Sequence, residues 1–247
     1  MKILITLISS FLLITVSNFV DAQTTGNTVD LLWEGETYTP TFYAGRSLPS
    51  AGSLVRVVAM PNVIQNGQRL SSSQLVFKWV KDQNPIQSAS GQGKDILEYR
   101  ADQGGASSII NVEILTKSGE TLAKSRAMIP PSVPKLVLYR MTPTVNPTRT
   151  RALTGIVPIN SSETTLIAEP FFFSTLDLAN NRVFFDWQIN GTRVGAQREN
   201  PRLFTVVAIN QSNGKAKLTV TAQNEATPFK VMSQIITLGF GTQEFNF

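Results

Sequence analysis

The feature that most constrains this chain is a pattern that occurs twice. Residues 75–85 read LVFKWVKDQNP and residues 183–191 read VFFDWQING, each an apolar run with Phe two places before Trp and turn-forming residues at its end. Trp79 and Trp187 stand 108 positions apart. Upstream, VVAMP at 57–61 matches LIAEP at 166–170 with an offset of 109; downstream, Val112 matches Leu218 with an offset of 106. Three marks in the same order at a nearly constant offset indicate two copies of one domain. IPPSVPK, at 129–135, lies between the copies. Its prolines end the preceding strand and stiffen an extended linker.

The copies read as sheet. In SSIINVEILTKSG, Ile110, Val112 and Ile114 alternate with Asn111, Glu113 and Leu115; in KAKLTVTAQN, Ala216, Leu218, Val220 and Ala222 alternate with Lys217, Thr219 and Thr221. A period of two means one buried face and one wet face. Turn chemistry separates the runs at Asp82-Gln83-Asn84-Pro85, Lys117-Ser118-Gly119, Asn190-Gly191 and Asn213-Gly214. The two Asn-Gly pairs suit two-residue hairpins, where both turn positions need positive φ. STLDLANN, at 174–181, suggests a single helical turn. Many short strands in copies of roughly 100 residues point to an all-β chain of two tandem immunoglobulin-like antiparallel sandwiches. The third strand of each then carries its Trp into the core: Leu75, Phe77 and Trp79 point inward in the first copy, and Val183, Phe185 and Trp187 in the second, with Phe184 and Asp186 outward.

The first residues bear on compartment. MKILITLISSFLLITVSNFVDAQ has one Lys, an apolar core from Ile3 to Val16 and small or apolar residues before Gln23, the pattern of a secretory signal peptide at 1–22. The alternative is an uncleaved N-terminal membrane anchor, for which the core falls short of the roughly 20 residues that span a bilayer. The expected division is a signal at 1–22, a first sandwich with an N-terminal aromatic strap at 23–131, and a second sandwich at 132–247. The chain has no Cys, so an exported protein of this kind must be stable without disulfides, which favours a bacterial envelope. The location is therefore periplasmic, cell-surface or secreted.

Composition removes several chemistries. With no His and no Cys, Ser-His-Asp, Cys-His and thiolate or imidazole metal sites are excluded. No phosphate-binding glycine loop or EF-hand spacing occurs. A carboxylate pair is the common hydrolytic device that remains. Glu34 with Glu36 and Asp177 with Asp186 are examples, and nothing in the spacing selects them among seventeen acidic residues. We nominate no catalytic, cofactor-binding or metal residue. The net charge of +5 is scattered, with no block of like charges, so nucleic acid is not an expected partner. Weak attraction to an anionic cell-wall polymer fits it, and membrane contact is expected only through an uncleaved signal.

The Phe-x-Trp strands, the alternation and the tandem arrangement resemble bacterial immunoglobulin-like or PKD-like exported modules. LLWEGETYTPTFYAGRSLPSAGSLVRVVAMP, PKLVLYR, LIAEPFFFS and the Trp-x-Ile-Asn-Gly run are similar to two-domain exported proteins of bacteria with reduced genomes. The resemblance covers nearly all of the chain after the signal. It implies fold and export, and brings no activity with it.

Two stretches hold more aromatic residues than a core requires. WEGETYTPTFYAG, at 33–45, contains Tyr38, Phe42 and Tyr43 and reads either as a strap over one end of the first sandwich or as a contact surface. AEPFFFSTLDLANN, at 168–181, contains Phe171, Phe172 and Phe173. Consecutive residues of a strand cannot share a face, so one Phe must point outward unless the chain turns after Pro170. These six residues are the candidate partner contacts. Together the features point to a non-enzymatic exported envelope protein that contacts envelope or appendage proteins in adhesion or appendage assembly. The alternatives are a periplasmic pilus-type assembly chaperone, whose proline-rich and arginine-lysine anchor motifs are missing here, and a cell-wall glycan-binding protein or hydrolase.

Overall fold

A computed structural model of the 247-residue chain describes residues 26–141, 151–208, 213–225 and 231–241. The segment read as a secretory signal lies outside the described residues. The first half contains β1 (Thr28–Gly35), β2 (Leu54–Asn62), β3 (Ile64–Gln65), β4 (Gln68–Arg69), β5 (Val76–Lys81), β6 (Asn84–Pro85), β7 (Gly91–Gln92), β8 (Ile96–Arg100), β9 (Ser108–Leu115) and β10 (Thr121–Ile129). The second contains β11 (Lys135–Arg140), β12 (Ile156–Ile159), β13 (Glu163–Phe171), β14 (Val183–Ile189), β15 (Thr192–Val194), β16 (Leu203–Val207), β17 (Gly214–Asn224) and β18 (Val231–Phe240).

Each half is a two-layered sandwich, and the halves repeat one topology. In the first, β1–β2–β8 faces β10–β9–β5, with β6 and β7 extending β5. In the second, β11–β13–β16 faces β12–β18–β17–β14–β15. The strands β11, β13 and β16 thus stand where β1, β2 and β8 stand, and β18, β17 and β14 where β10, β9 and β5 stand. One pairing departs from the expected antiparallel plan: β12 runs parallel to β18, with Val157 opposite Leu238.

The paired tryptophans occupy equivalent places. Trp79 and Trp187 are fully enclosed, each at the centre of its own apolar core. Each indole N–H donates to a backbone carbonyl a short way along the chain, Trp79 to Lys94 and Trp187 to Pro201, both at 2.9 Å. A buried indole needs such an acceptor, and both copies supply it from the same part of the fold. Leu75 and Phe77 are buried beside Trp79, and Val183 and the partly buried Phe185 beside Trp187, whereas Phe184 faces out. Burying one such ring contributes a few kcal/mol at about 25 cal/mol per Å². Leu115, expected on the wet side of β9, is buried because a register shift between Thr121 and Ala123 of β10 turns the strand there.

The turns follow their chemistry with one correction. Asn190 and Gly191 have φ of 50° and 84° and close the β14–β15 hairpin in two residues. Asn66 and Gly67, a third Asn-Gly pair, do the same for β3–β4. Asn213-Gly214 makes no hairpin: Gly214 begins β17 opposite Phe240. The reason is topological, since β16 and β17 lie in different sheets and their connection must cross the sandwich. The single helical turn is α1 (Thr175–Ala179), capped by the Ser174 hydroxyl, which accepts from the Asp177 N–H.

Candidate functional site

The aromatic residues singled out in the sequence meet where the two sandwiches join. The connection from β1 to β2 leaves the first sandwich at Gly35 and lies across the outer face of β11–β13 in the second. The expectation of a strap capping the first sandwich is thereby corrected: its rings pack on the second. The exit is tight, because a Cβ on Gly35 would stand 2.4 Å from the Pro49 Cα. The strap is tied to its own sandwich by Gly35 N–H donating to the Ser47 carbonyl and Glu36 N–H donating to the Leu54 carbonyl of β2, both at 2.8 Å, and Thr37 Oγ1 donates across the strap to the Leu48 carbonyl at 2.7 Å. Arg46 lies over the Trp33 ring, 4.5 Å from its centroid.

Phe42 meets Tyr139 edge-on at 5.1 Å, and Tyr43 meets Phe171 at 5.6 Å and Phe172 at 5.9 Å. Leu48, Val137 and Ile167 pack against the same cluster. The three consecutive phenylalanines are all buried, and the backbone shows how. Phe172 has φ of 63°, so the chain turns after Pro170 and the alternation of a strand no longer applies. Phe171 and Phe172 enter the seam, while Phe173 enters the core of the second sandwich. Tyr38, Phe42 and Tyr43 are half-buried against them.

A polar network borders the rings. Tyr38 Oη donates to Glu169 Oε2 at 2.6 Å. Arg202 Nη1 donates to Tyr38 Oη at 2.9 Å and to Glu169 Oε2 at 3.0 Å. Glu169 is only 6% exposed, so the arginine is what makes its burial tolerable. Burial, and then the hydrogen bond to Glu169, push the Tyr38 phenol up to about 12. The Arg202 guanidinium also stands over the Tyr38 ring at 5.2 Å. Glu169 announces itself in the sequence as a lone acid within the apolar run LIAEPFFF; Arg202, beside β16, has no such mark.

The register shows what the strap conceals. Tyr139, Ile167 and Leu203 form one cross-strand row on the outer face of β11–β13–β16. The equivalent row of the first sandwich is Leu32, Val58 and Ile96. Tyr139, near the strap, is 7% exposed, whereas Leu32, where no strap passes, is 51% exposed. Among the carboxylates noted in the sequence, Asp177 accepts from Asn224 Nδ2 at 2.8 Å and faces Arg182, and Asp186 pairs with Arg193. Among the described residues, no cluster of three or more acidic side chains is placed to hold a metal ion, and no helix is long and apolar enough to cross a membrane.

No protein-family model and no curated protein matches the sequence. Solved structures that resemble the chain in part include three N-terminal domains of the highly immunogenic outer capsid protein (Hoc) of bacteriophage RB49. They share 14% identity over 87% of this chain and 59% of that one, with a TM-score of 0.40. The fibronectin(III)-like modules of Clostridium thermocellum CbhA share 12% over 87% of this chain and all of theirs, at 0.28. The ectodomain of mouse nectin-like molecule 4 shares 11% over 86% of this chain and 62% of that one, at 0.27. This chain thus spans less than two thirds of the phage and mouse structures. At such identities and TM-scores the likenesses carry no conclusion about this chain, whose fold stands on its own strand pairing and cores.

Proposed function

We propose that this chain is a non-enzymatic exported protein of a bacterial cell envelope, a structural or binding module in surface adhesion or appendage assembly. The observation that carries the reading is where its reactive groups are spent. Tyr38, Glu169 and Arg202 bring a phenol, a carboxylate and a guanidinium together, and use them on one another to join two sandwiches. Export rests on the N-terminal pattern of one lysine, a short apolar core and a small-residue end. Crosslinking in a bacterial host, with mass spectrometry of what is captured, tests it. Repeated capture of one pilus, surface-layer or secretion component is the expected result. Capture of wall glycan alone shifts the reading to glycan binding, and capture of nothing refutes it.

A second reading, strand addition in the manner of a pilus-type assembly chaperone, draws on β10. Among the described residues β10 pairs with β9 only, whereas its counterpart β18 carries β12 on its other edge. A photo-crosslinker at Lys124, exposed on β10, captures an appendage subunit under this reading and not under the first.

A further inference from the structure

We propose that residues 36–50 form an interdomain latch: the docked strap fixes the two sandwiches as one rigid body, and its release frees them to move independently. The inference stands on the seam alone and does not depend on the compartment or partners. Two domains joined by a short linker ordinarily move against each other unless a substantial interface prevents it. Here the strap supplies that interface by gripping both partners.

The grip has four parts. Along the backbone, Tyr38 N–H donates to the Phe173 carbonyl at 2.7 Å, and the Tyr38 carbonyl accepts from Phe172 N–H at 2.8 Å. The strap's far end holds the linker, where the Pro49 carbonyl accepts from Ser132 N–H at 2.6 Å. Phe42 and Tyr43 add the aromatic contacts with Tyr139, Phe171 and Phe172. The Tyr38–Glu169–Arg202 network closes the edge and leaves the buried carboxylate satisfied only while the strap is in place on its phenol side.

Phe172 makes the latch two-state rather than graded. Its backbone sits in the left-handed region, which bulky residues rarely adopt. The two hydrogen bonds to Tyr38 flank that residue and hold it there. Once the strap leaves, the turn keeps only its own bond from Phe173 N–H to the Pro170 carbonyl, at 3.3 Å, and its relaxation removes the surface to which the strap would return. Docking and turn therefore form and fail together.

The chain has no cysteine, so Lys78→Cys and Lys217→Cys, both at exposed positions in opposite sandwiches, place one spin label in each. Double electron–electron resonance on the full chain reads the distance between them. The latch requires one narrow distance distribution in this parent and a roughly two-fold or greater broadening with Phe42→Ser and Tyr43→Ser together, as independent domains would give. A broad distribution in the parent, or an unchanged narrow one in the variant, overturns the proposal. Glu169→Gln, which spares the rings, keeps the test open if the double variant fails to fold. It must also broaden the distribution, and an unchanged width there overturns the latch.

Discussion

The paired tryptophans allow the repeat to be tested energetically. Trp79→Phe and Trp187→Phe are the matched perturbations. Each removes an indole N–H that donates at 2.9 Å to the backbone carbonyl of an exposed residue, Lys94 in one copy and Pro201 in the other. Water reaches a carbonyl on an exposed residue, so the lost bond costs about 0.5–1.5 kcal/mol, the net worth of an ordinary hydrogen bond. Each also exchanges two fused rings for one at a site that is 0% or 1% exposed, which adds about 1–2 kcal/mol of lost burial and residual cavity. Trp187 stacks on Phe204 with centroids 5.2 Å apart, but a phenyl ring preserves that contact, so it does not separate the variants. Both substitutions are therefore expected to destabilise by about 1.5–3.5 kcal/mol. Urea unfolding followed by far-ultraviolet circular dichroism measures it. A loss below about 1 kcal/mol in either variant refutes the claim that the indole bond and its enclosure are the core function of both residues.

Gln83 occupies the left-handed region at φ of 69° in the exposed turn between β5 and β6, following Asp82 at 48°. Gln83→Gly is expected to stabilise the protein by up to about 1 kcal/mol, because the strain relieved exceeds the added freedom of the unfolded chain; a lower unfolding midpoint would contradict this. Tyr38, with its phenol pushed up to about 12, keeps a proton that the unfolded chain gives up near the ordinary phenol value of 10. Its contribution is fully present below that ordinary value and is lost as pH rises through about 12. Melting temperature should accordingly fall across this alkaline window, and less steeply in Tyr38→Phe; equal slopes would show that the phenol does not couple to folding. Some slope must persist in the variant, since burial also raises Tyr99 and Tyr139.

Much of each sandwich was legible because its signals are local. The alternation around Val112 and Leu218 needs only one buried and one wet face, and the Asn190-Gly191 turn needs only two residues with positive φ. The hairpin assigned to Asn213-Gly214 failed for the converse reason. The dipeptide says that the backbone can bend, but the sheet to which the next strand belongs is decided by the whole sandwich. The parallel β12 was illegible likewise, because IVPI reads as an apolar strand without stating its partner or direction.

The seam left a trace that is intelligible in retrospect. A strand with one wet face alternates, whereas a strand covered on both faces reads as a continuous apolar run. β2 alternates at its outward positions, with Arg56 and Met60 exposed. Its counterpart β13 does not: from Leu166 to Phe171 the run is apolar except for Glu169, and outward-facing Glu169 and Phe171 are buried. The difference lies in exposure, since VVAMP of β2 is an unbroken apolar run as well: outward Met60 is exposed, whereas outward Glu169 and Phe171 are covered. What covers them could not be read from β13, because the strap is irregular and carries no period to match against it. Pro40 and Gly45 interrupt it, and its aromatic residues follow the spacing of the surface they meet rather than that of a helix or strand. The lone acid in the run was the more specific sign. A buried carboxylate demands a donor from outside its own strand, and Tyr38, 131 positions earlier in the chain, is one of the two side chains that supply it.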